Sequence, residues 1–573
     1  MSVEREAWFY PHVICSHRRL ESTAMHRTRR SCLVMGFLIW LALGSQPSEG
    51  QYTSNFQTNI VDGTASGGLN YIVGSNTYAD VLLIRNKGSV NDGSGYVGYE
   101  VGSSNNTVVI TGSGSVWQNG FFYTDHLYVG YSGAGNSLII SNRGLLYVPN
   151  VSSMIGVNAS SSNNSVLVTG NGSVWTNLSG NLTIGGIGGG NSLVISNGGA
   201  VIGSSGSYCT IGRSSSWNRV TITGTGSTWQ VSYTLYVGGP GNNSLTVANG
   251  GTLYAEFCTV GIGFISGGSN NKALVTGRGS VWSSPFLNIG WNDSGNSLVV
   301  SNGGLVVSSS LNTGMNAGDG NQIVVTGTGS VLNVNGTMLL GSSGTGSGSF
   351  SGLGISDGAQ VIDRGATIGS GSMSSSNRVT VLSGGSWYGS TLQVGGLGSS
   401  NSVLVSGGTV SASSLVVGVG SATCDNVLEL DNGYVFATNA THDAVLEVRY
   451  GSLILNGGTL QADTLVMMNP CAQFVHTGGT LLVGNVILDP NTFRIVSIAR
   501  QSNDMLVTWM MGPGATNALQ AAAGDGNGGY NTNSFTDIFI VTNNTTVGTV
   551  TNYLDIGAAT NRPSRYYRAR LLP

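Results

Sequence analysis

The amino-acid sequence predicts an all-β protein: a right-handed parallel β-helix (solenoid) followed by a small antiparallel β-sandwich. A Thr-Gly-x-Gly-Ser-x-Trp motif recurs about every 50 residues, and such a period indicates stacked units that bury their apolar faces against their neighbours. Short stretches alternate apolar and polar residues, which is typical of β-strands. Gly supplies 91 of the 573 residues, as expected for a chain with many tight turns.

The first 50 residues have the features of a signal peptide. A basic stretch at 27–30 precedes an apolar run at 32–43. A run of about 12 apolar residues fits a signal-peptide core and is too short to span a bilayer. Met25 stands just before the basic stretch and is the alternative start of the chain. We therefore predict an exported protein whose mature chain has no transmembrane segment.

Each repeat consists of two similar halves. The first half runs Leu-x-Val-Gly and then Asn-Ser-Leu-x-Val-Ser-Asn-Gly-Gly, as in 287–304, and the second half ends in the Thr-Gly-x-Gly-Ser motif, as in 209–227. The unit is therefore a coil of about 25 residues with two short strands and Gly-rich corners. We predict an N-terminal cap at 51–83, the β-helix at 84–486 and the sandwich at 487–573.

Alternation within the repeats predicts which side chains point inward. Leu138 and Ile140 lie two positions apart, and so do the equivalent residues in each of the remaining repeats. The two residues of such a pair share one face of a strand. An Asn precedes the inward Leu by two positions in the first half of the repeat. These residues are Asn136, Asn191, Asn243 and Asn296. Stacked in register, they would form a ladder of amides that pair between coils.

The cysteines beyond residue 50 are placed differently along the repeat. Cys209 and Cys258 occupy matching positions, so they are expected two coils, or about 10 Å, apart, too far for a disulfide. We interpret them as small buried apolar residues. Cys424 and Cys471 follow in the less regular coils, and export would permit disulfides.

The repeats resemble the autotransporter/PEP-CTERM-associated repeats of exported bacterial proteins. TGSGSVW at 111–117 and NSLVVSNGG at 296–304 carry the resemblance, which covers about 84–390 well and 391–486 loosely. It implies an extracellular or cell-surface protein and no known catalytic residues. The C-terminal segment matches neither a translocator barrel nor a PEP-CTERM sorting tail, so the export route stays open.

Charged residues are scarce, which limits the chemistry to be expected. They make up 8% of the chain, and the net charge of −3 gives no electrostatic case for nucleic-acid binding. No Cys/His spacing indicates a metal site, and no motif indicates a cofactor. Glu429 and Asp431, with Arg449 nearby, are the weak catalytic candidates. A polysaccharide lyase or glycoside hydrolase would need such groups, whereas simple surface charge is the plainer interpretation.

Two rows of residues are candidates for glycan binding. One Trp per repeat would align along the rod at steps of about 10 Å; the row is Trp117, Trp175, Trp229, Trp282 and Trp387. We favour core packing over the Gly-rich corner, because Leu332 replaces Trp in one copy, and an aromatic track is the alternative. Arg219, Lys272 and Arg378 follow the corner Asn and form a mildly basic outward row. A solvated face is the plainer interpretation of this row, although an acidic glycan could use it.

Two functional hypotheses follow. The favoured one is an exported, non-enzymatic β-helical protein with a structural or adhesive role at the bacterial cell surface. The alternative is a carbohydrate-active β-helix, either a polysaccharide lyase or hydrolase or a glycan-binding rod, a suggestion that rests partly on fold analogy. The expected partners are polysaccharides or cell-envelope components.

Overall fold

A computed structural model describes most of the chain beyond residue 51. The described residues are 52–122, 124–203, 206, 208–262, 268–316, 318–341, 347–420, 424–469, 471–488, 494–512, 514–525, 529–545, 549–560 and 564–572. The predicted signal-peptide region, including Met25, lies outside them.

A parallel β-solenoid of about 15 turns occupies most of the described chain. Its strands β1 to β19 are Thr58–Asp62, Ala65–Val73, Val81–Arg85, Ser89–Val97, Thr107–Thr111, Val116–Asn119, His126–Val129, Ser137–Ser141, Leu145–Val148, Ser152–Ile155, Ser165–Thr169, Val174–Asn177, Leu182–Ile184, Ser192–Ser196, Ala200–Gly203, Tyr208–Ile211, Arg219–Thr223, Thr228–Val237 and Ser244–Ala248. Strands β20 to β38 are Thr252–Ile262, Lys272–Thr276, Val281–Ser283, Phe286–Trp291, Ser297–Ser301, Leu305–Met315, Gln322–Thr326, Val331–Leu340, Gly352–Ser356, Gln360–Ile368, Arg378–Leu382, Ser386–Val394, Ser402–Val417, Asn426–Ala437, Val445–Val448, Gly451–Leu455, Thr459–Met467, Gln473–His476 and Thr480–Leu488.

Each coil has three faces, where the sequence predicted two strands. Strands β5, β6 and β7 form one coil and lie on what we call the first, second and third face. Each pairs in parallel with its equivalent in the next coil, as β5 does with β8. The additional strand is the Ser-x-Trp segment that follows the Gly-rich corner. In the segment 51–83, predicted as a cap, β1 and β2 pair with β3 and β4 and so form the first coil.

The interior of the solenoid is one continuous apolar core. Strand positions alternate between buried and partly exposed, as in β8, where Leu138 and Ile140 are fully buried. Val, Ile and Leu fill these positions along the whole stack, as the sequence alternation predicts. Burial of apolar area supplies the main favourable term, and no single coil can bury its own inner face.

A ladder of buried Asn side chains runs along the corner between the third and first faces. Its members are fully buried. They are Asn106, Asn136, Asn164, Asn191, Asn218, Asn243, Asn271, Asn296, Asn321, Asn377, Asn401 and Asn426. At each step the Oδ1 atom of one Asn accepts a hydrogen bond from the backbone N–H of the Asn in the coil before it. In most steps the same Oδ1 atom also accepts a hydrogen bond from the side-chain Nδ2 of that preceding Asn. Asn136 Oδ1 accepts both from Asn106, each at 2.9 Å. The predicted amide ladder is therefore confirmed and extends to every coil from Asn106 to Asn426 except the one at Ser351.

The ladder explains a recurrent Gly. Gly98 follows a third-face strand with φ of +78°, and a Cβ there would lie 2.1 Å from Nδ2 of Asn136 in the next coil. Gly185 stands in the same relation to Asn218, at 2.2 Å. A side chain at this position would be strained by its backbone angle and would collide with the ladder. The Leu-x-Val-Gly motif and the Asn-Ser-Leu motif are thus two halves of one contact.

Two small antiparallel sheets follow the solenoid. The first contains β39 (Ile495–Gln501), β40 (Asp504–Met511) and β43 (Thr549–Asp555); the second contains β41 (Thr516–Ala523), β42 (Thr536–Thr542) and β44 (Arg565–Leu572). Two short 3-10 turns, Thr532–Ser534 and Ala558–Thr560, join the strands. Trp509 and Leu519 come from different sheets and share one core. Met510 points the other way and belongs to the hydrophobic core of the solenoid.

Removing one ladder amide should destabilise the protein strongly. Asn191→Ala deletes the acceptor of the Asn164 backbone N–H and Nδ2, at 2.9 and 3.1 Å. A buried donor left without a partner costs about 1–3 kcal/mol. We therefore expect a loss on the order of 3 kcal/mol in the free energy of unfolding, measured by urea denaturation.

Gln230→Ala is the matched control, because Gln230 is exposed on a strand of the same solenoid. This control should change stability by less than about 0.5 kcal/mol. Ser351 interrupts the ladder, and its buried Oγ has no partner among the described residues. Ser351→Asn, which restores an amide at this step, should therefore stabilise the protein. Equal losses for Asn191→Ala and Gln230→Ala would contradict a structural role for the ladder.

Candidate functional site

The five Trp side chains of the repeat lie inside the solenoid. Each is at most 1% exposed, so none of the indole rings offers a face to a sugar. This corrects the suggestion of an aromatic track at Trp117, Trp175, Trp229, Trp282 and Trp387 and favours core packing. Leu332 fills the same position in the fifth copy and is equally buried, which is the behaviour of a core site.

The first and last of these Trp residues are each bonded to a buried carboxylate in the preceding coil. Nε1 of Trp117 donates to Oδ2 of Asp92 at 3.0 Å, and Nε1 of Trp387 donates to Oδ2 of Asp363 at 2.5 Å. Burial raises the pKa of Asp92 to about 7, against the opposing hydrogen bonds from Asn119 and Trp117. Burial likewise raises the pKa of Asp363 to about 6. The protonated form of both groups is therefore favoured well above pH 4.

The basic residues of the first face do share one outward row. Arg219 and Lys272 both pair in register with Ser244, which lies between them. The same row continues through Gln322 and reaches Arg378. All four side chains are exposed. Cations two coils apart are separated by about 10 Å, with Ser hydroxyls or Gly between them, so the row is a dilute basic stripe.

The weak catalytic candidates have other polar partners. Nδ2 of Asn456 donates to Glu429 Oε1 at 3.1 Å and to Asp431 Oδ1 at 2.9 Å, so the two carboxylates share a face, as predicted. Arg449 instead forms a two-pronged ion pair with Glu447, at 2.6 and 2.8 Å. Glu429 and Asp431 therefore lie together beside Asn456, whereas the Arg449 guanidinium is paired with Glu447.

The cysteines divide into one bridged pair and two free thiols. Cys424 and Cys471 form a disulfide across a separation of 47 residues. They stand at the corners before β33 and β37, on either side of a coil with only residues 449–450 at that corner. Cys209 and Cys258 are free and buried, as predicted, with Leu235 in register between them. Burial raises the pKa of the Cys209 thiol to about 12, which keeps it protonated and unreactive.

Sequence reasoning missed two clusters of surface aromatic residues on the third face. The N-terminal tyrosine cluster contains Tyr96, Tyr99, Tyr128 and Tyr131, with neighbouring ring centroids 5.0 to 5.2 Å apart. The central aromatic cluster lies further along the same face. Its members are Tyr208, Tyr233, Tyr236, Phe257 and Phe286. The repeated Tyr-Val-Gly-Tyr motif at 96–99 and 128–131 is the signal that would have indicated the first cluster.

The described residues contain no group of three or more His, Cys, Asp or Glu side chains placed to hold a metal ion. Within the same part of the chain, no helix has the length and apolar character needed to cross a membrane. Comparison with models of known protein families gives no match, and a search of curated proteins gives none either.

The buried Asp92 predicts an unusual dependence of stability on pH. Its pKa is raised from 3.8 to about 7 by folding, so the unfolded chain ionises first, and stability should fall as pH rises from about 4 to about 7. One pKa unit corresponds to about 1.4 kcal/mol, so this loss is at most on the order of 4 kcal/mol. Asp92→Asn should flatten that decline, measured as the unfolding midpoint at pH 4, 6 and 8.

The Asn side chain can replace the acid at this site, because its oxygen can accept from Trp117 and Asn119 Oδ1 is a buried acceptor without a partner among the described residues. Asp62→Asn is the control, since Asp62 is exposed and its pKa is lowered by hydrogen bonds from Asn86 and Arg85. A variant at Asp92 that keeps the full decline from pH 4 to pH 7 would contradict the assignment.

The disulfide should stabilise the C-terminal coils. Replacing both Cys424 and Cys471 by Ser removes the cross-link that closes a loop of 47 residues. The chain-entropy estimate of the stability that such a cross-link contributes is about 4 kcal/mol. We expect the double variant to unfold at a lower urea concentration than the parent in non-reducing buffer. The same two proteins should unfold alike after reduction, whereas a difference that survives reduction would assign the effect to packing.

Proposed function

We propose that this protein is exported from a bacterial cell and acts outside it as a non-enzymatic structural or adhesive rod. The observation that carries the proposal is the use of polar groups inside the solenoid. The buried amides of the ladder hold successive coils together, from Asn106 to Asn426. The strands of the first face present outward rows of Ser and Thr, as Ser137 and Ser141 do. Such a molecule is suited to presenting the same kind of polar surface along its whole length.

The disulfide supports export. Bonds of this kind persist in secreted and surface proteins and are rare in the reducing cytosol. Cys424 and Cys471 are 5.4 Å apart at Cα, within the usual range for a bridge. The basic stretch and apolar run at 27–43 and the resemblance to autotransporter/PEP-CTERM-associated repeats support the same conclusion.

A glycan-binding rod is the second candidate, and the surface aromatic clusters favour it over a lyase or hydrolase. A hydrolase needs two carboxyl groups placed on either side of a glycosidic bond. Glu429 and Asp431 accept from the same Asn456 side chain. They therefore lie side by side on one patch of surface and do not face each other across a substrate. Exposed aromatic side chains provide contact area for binding a glycan and need no catalytic groups to do so.

Export can be tested with the full chain carrying a C-terminal epitope tag in a bacterial host. We expect the tag in the medium or on the cell surface, where added protease removes it from intact cells. Leu38→Arg with Leu41→Arg interrupts the apolar run and should retain the protein in the cytoplasm. Parent protein that stays protected from protease inside intact cells would contradict the proposal.

The non-enzymatic part of the proposal has its own test in the same preparation. The exported protein is incubated with neutral and acidic polysaccharides, and the supernatant is assayed for new reducing ends and for unsaturated sugars. We expect no release above that of a heat-denatured sample. Release that disappears in Glu429→Gln with Asp431→Asn would establish an enzyme instead.

A further inference from the structure

The N-terminal tyrosine cluster is a compact patch built from two successive coils. Tyr96 and Tyr128 pair in register on the third face, with ring centroids 5.2 Å apart. Tyr99 and Tyr131 follow the strand ends and stack at 5.2 Å with an interplanar angle of 14°. Tyr96 meets Tyr99, and Tyr128 meets Tyr131, edge to face at 5.0 and 5.1 Å. Four rings thus form a two-by-two patch.

The fold does not require aromatic residues at these positions. The row that contains Tyr96 and Tyr128 continues in register through Met154, Thr183 and Thr210, and the last two of these are buried. The backbone N–H of Tyr131 bonds to the coil before it just as that of Val157 does in the next coil. Coils with Thr or Val at these places stack in the same way. Coil stacking therefore does not explain why tyrosine occupies these four positions.

The chemistry of the patch indicates a ligand that is apolar on its faces and rich in hydroxyl groups. All four tyrosines are partly exposed. The hydroxyl groups of Tyr99, Tyr128 and Tyr131 make no hydrogen bond to any other described residue. Ring faces and edges attract C–H groups, and a phenol hydroxyl both donates and accepts. Tyr supplies such amphipathic contact at a low entropic cost.

The charges beside the patch select against an acidic ligand. Burial raises the pKa of Tyr96, and the nearby Tyr99, Tyr131 and Asp125 raise it further, against a hydrogen bond with Ser94. Glu100 is exposed next to Tyr99. His126 stacks on Tyr128 at 5.2 Å, but no Lys or Arg is among the groups that shift the pKa of Tyr96 or Tyr128. The first-face basic row, in contrast, would attract anions.

The central aromatic cluster lies further along the same face, where only Tyr236 belongs to the row of Tyr128 and the other rings are arranged differently. Four coil steps lead in register from Tyr128 to Tyr236, a distance of about 19 Å along the rod. The pKa of Tyr233 in this cluster is raised by Tyr208 first and by Glu256 among the lesser causes, so an acidic group stands here too. Two aromatic patches on one face favour a long ligand, because simultaneous contact raises apparent affinity.

We propose that the N-terminal tyrosine cluster is a binding site for a neutral polysaccharide, with the central aromatic cluster as a second contact on the same strand. The proposal rests on the proposed adhesive function and gives it a ligand class. Uncharged sugars avoid repulsion from Asp125 and Glu100.

Affinity electrophoresis of the purified chain in gels containing hydroxyethyl cellulose, galactomannan or polygalacturonate tests this proposal. The cluster variant carries Tyr96→Thr, Tyr128→Thr, Tyr99→Val and Tyr131→Val, which are the residue types that this solenoid itself uses in other coils. We expect retardation of the parent by at least one neutral polymer and an apparent Kd about tenfold weaker in the cluster variant. The control variant, Tyr388→Thr with Tyr434→Thr, removes two exposed tyrosines of the second face and should bind like the parent.

A second pair of variants keeps the test decisive if the cluster variant does not fold. Tyr128→Phe and Tyr131→Phe preserve ring packing and remove only the hydroxyl groups, and each should weaken binding by a smaller factor. Lack of retardation of the folded parent by both neutral polymers would overturn the proposal, as would equal binding by parent and cluster variant. Binding to polygalacturonate alone, lost in Arg219→Ser with Lys272→Ser, would move the site to the basic row. Export of the protein is unaffected by any of these outcomes, so the two proposals fail separately.

Discussion

The stack of coils depends on the buried Asn ladder. At the corner between the third and first faces the chain turns inward, where water cannot satisfy its backbone groups, and an unpaired buried N–H is costly. Each ladder amide supplies the missing acceptor to the coil before it, as Asn164 does for the backbone N–H of Asn136 at 2.8 Å. Because the acceptor of one coil serves the donor of another, each step needs an amide at the same position of the following coil, and Ser351 is the one departure from Asn106 to Asn426. The sequence repeat follows from this requirement.

The ladder also fixes its surroundings. The amide of one coil occupies the space that a side chain would take on the Gly of the preceding coil, as Asn164 does beside Gly130, where a Cβ would lie 2.1 Å away. That Gly has a φ of +76°, which turns the chain into the corner. The Asn, the Gly and the turn therefore form a single unit. The core between them tolerates more variation, since Trp282 and Leu332 occupy equivalent inward positions without a change in register.

The polar interior away from the ladder is less regular. Asp92 and Asp363 accept the indole N–H groups of Trp117 and Trp387, whereas the Nε1 atoms of Trp175, Trp229 and Trp282 have no partner among the described residues. A buried N–H without an acceptor costs free energy, and so does a buried carboxyl group whose ionised form is poorly solvated. The two arrangements are alternative costs of placing indole rings inside a narrow solenoid. The large apolar area of the ring offsets either of them.

Sequence reasoning predicted the inward pairs and the ladder that the coils share, missed the third strand of the coil, and failed where one coil differs from the next. Asn136 and Leu138 could be assigned inward because the same pair recurs at a fixed spacing. The direction of Trp117 could not, because Val116 beside it is also apolar and the alternation is ambiguous there. The Cys424–Cys471 bridge depends on a short corner in the coil between them, which is a property of three coils together. The tyrosine patches need two coils in register before they exist as a surface.

The same division separates stability from function in this molecule. The ladder and the core constrain inward positions and leave the outward ones free, because an outward side chain needs only to tolerate a β-strand. Along one outward row the chain can change from Ser192 to Arg219 and back to Ser244 in three successive coils. Along another it changes from Tyr96 and Tyr128 to Met154. Substitutions in these rows alter what the rod presents at steps of about 4.8 Å without disturbing the stack. Departures from the repeat on the outside are therefore the places where the surface of this solenoid differs from one coil to the next.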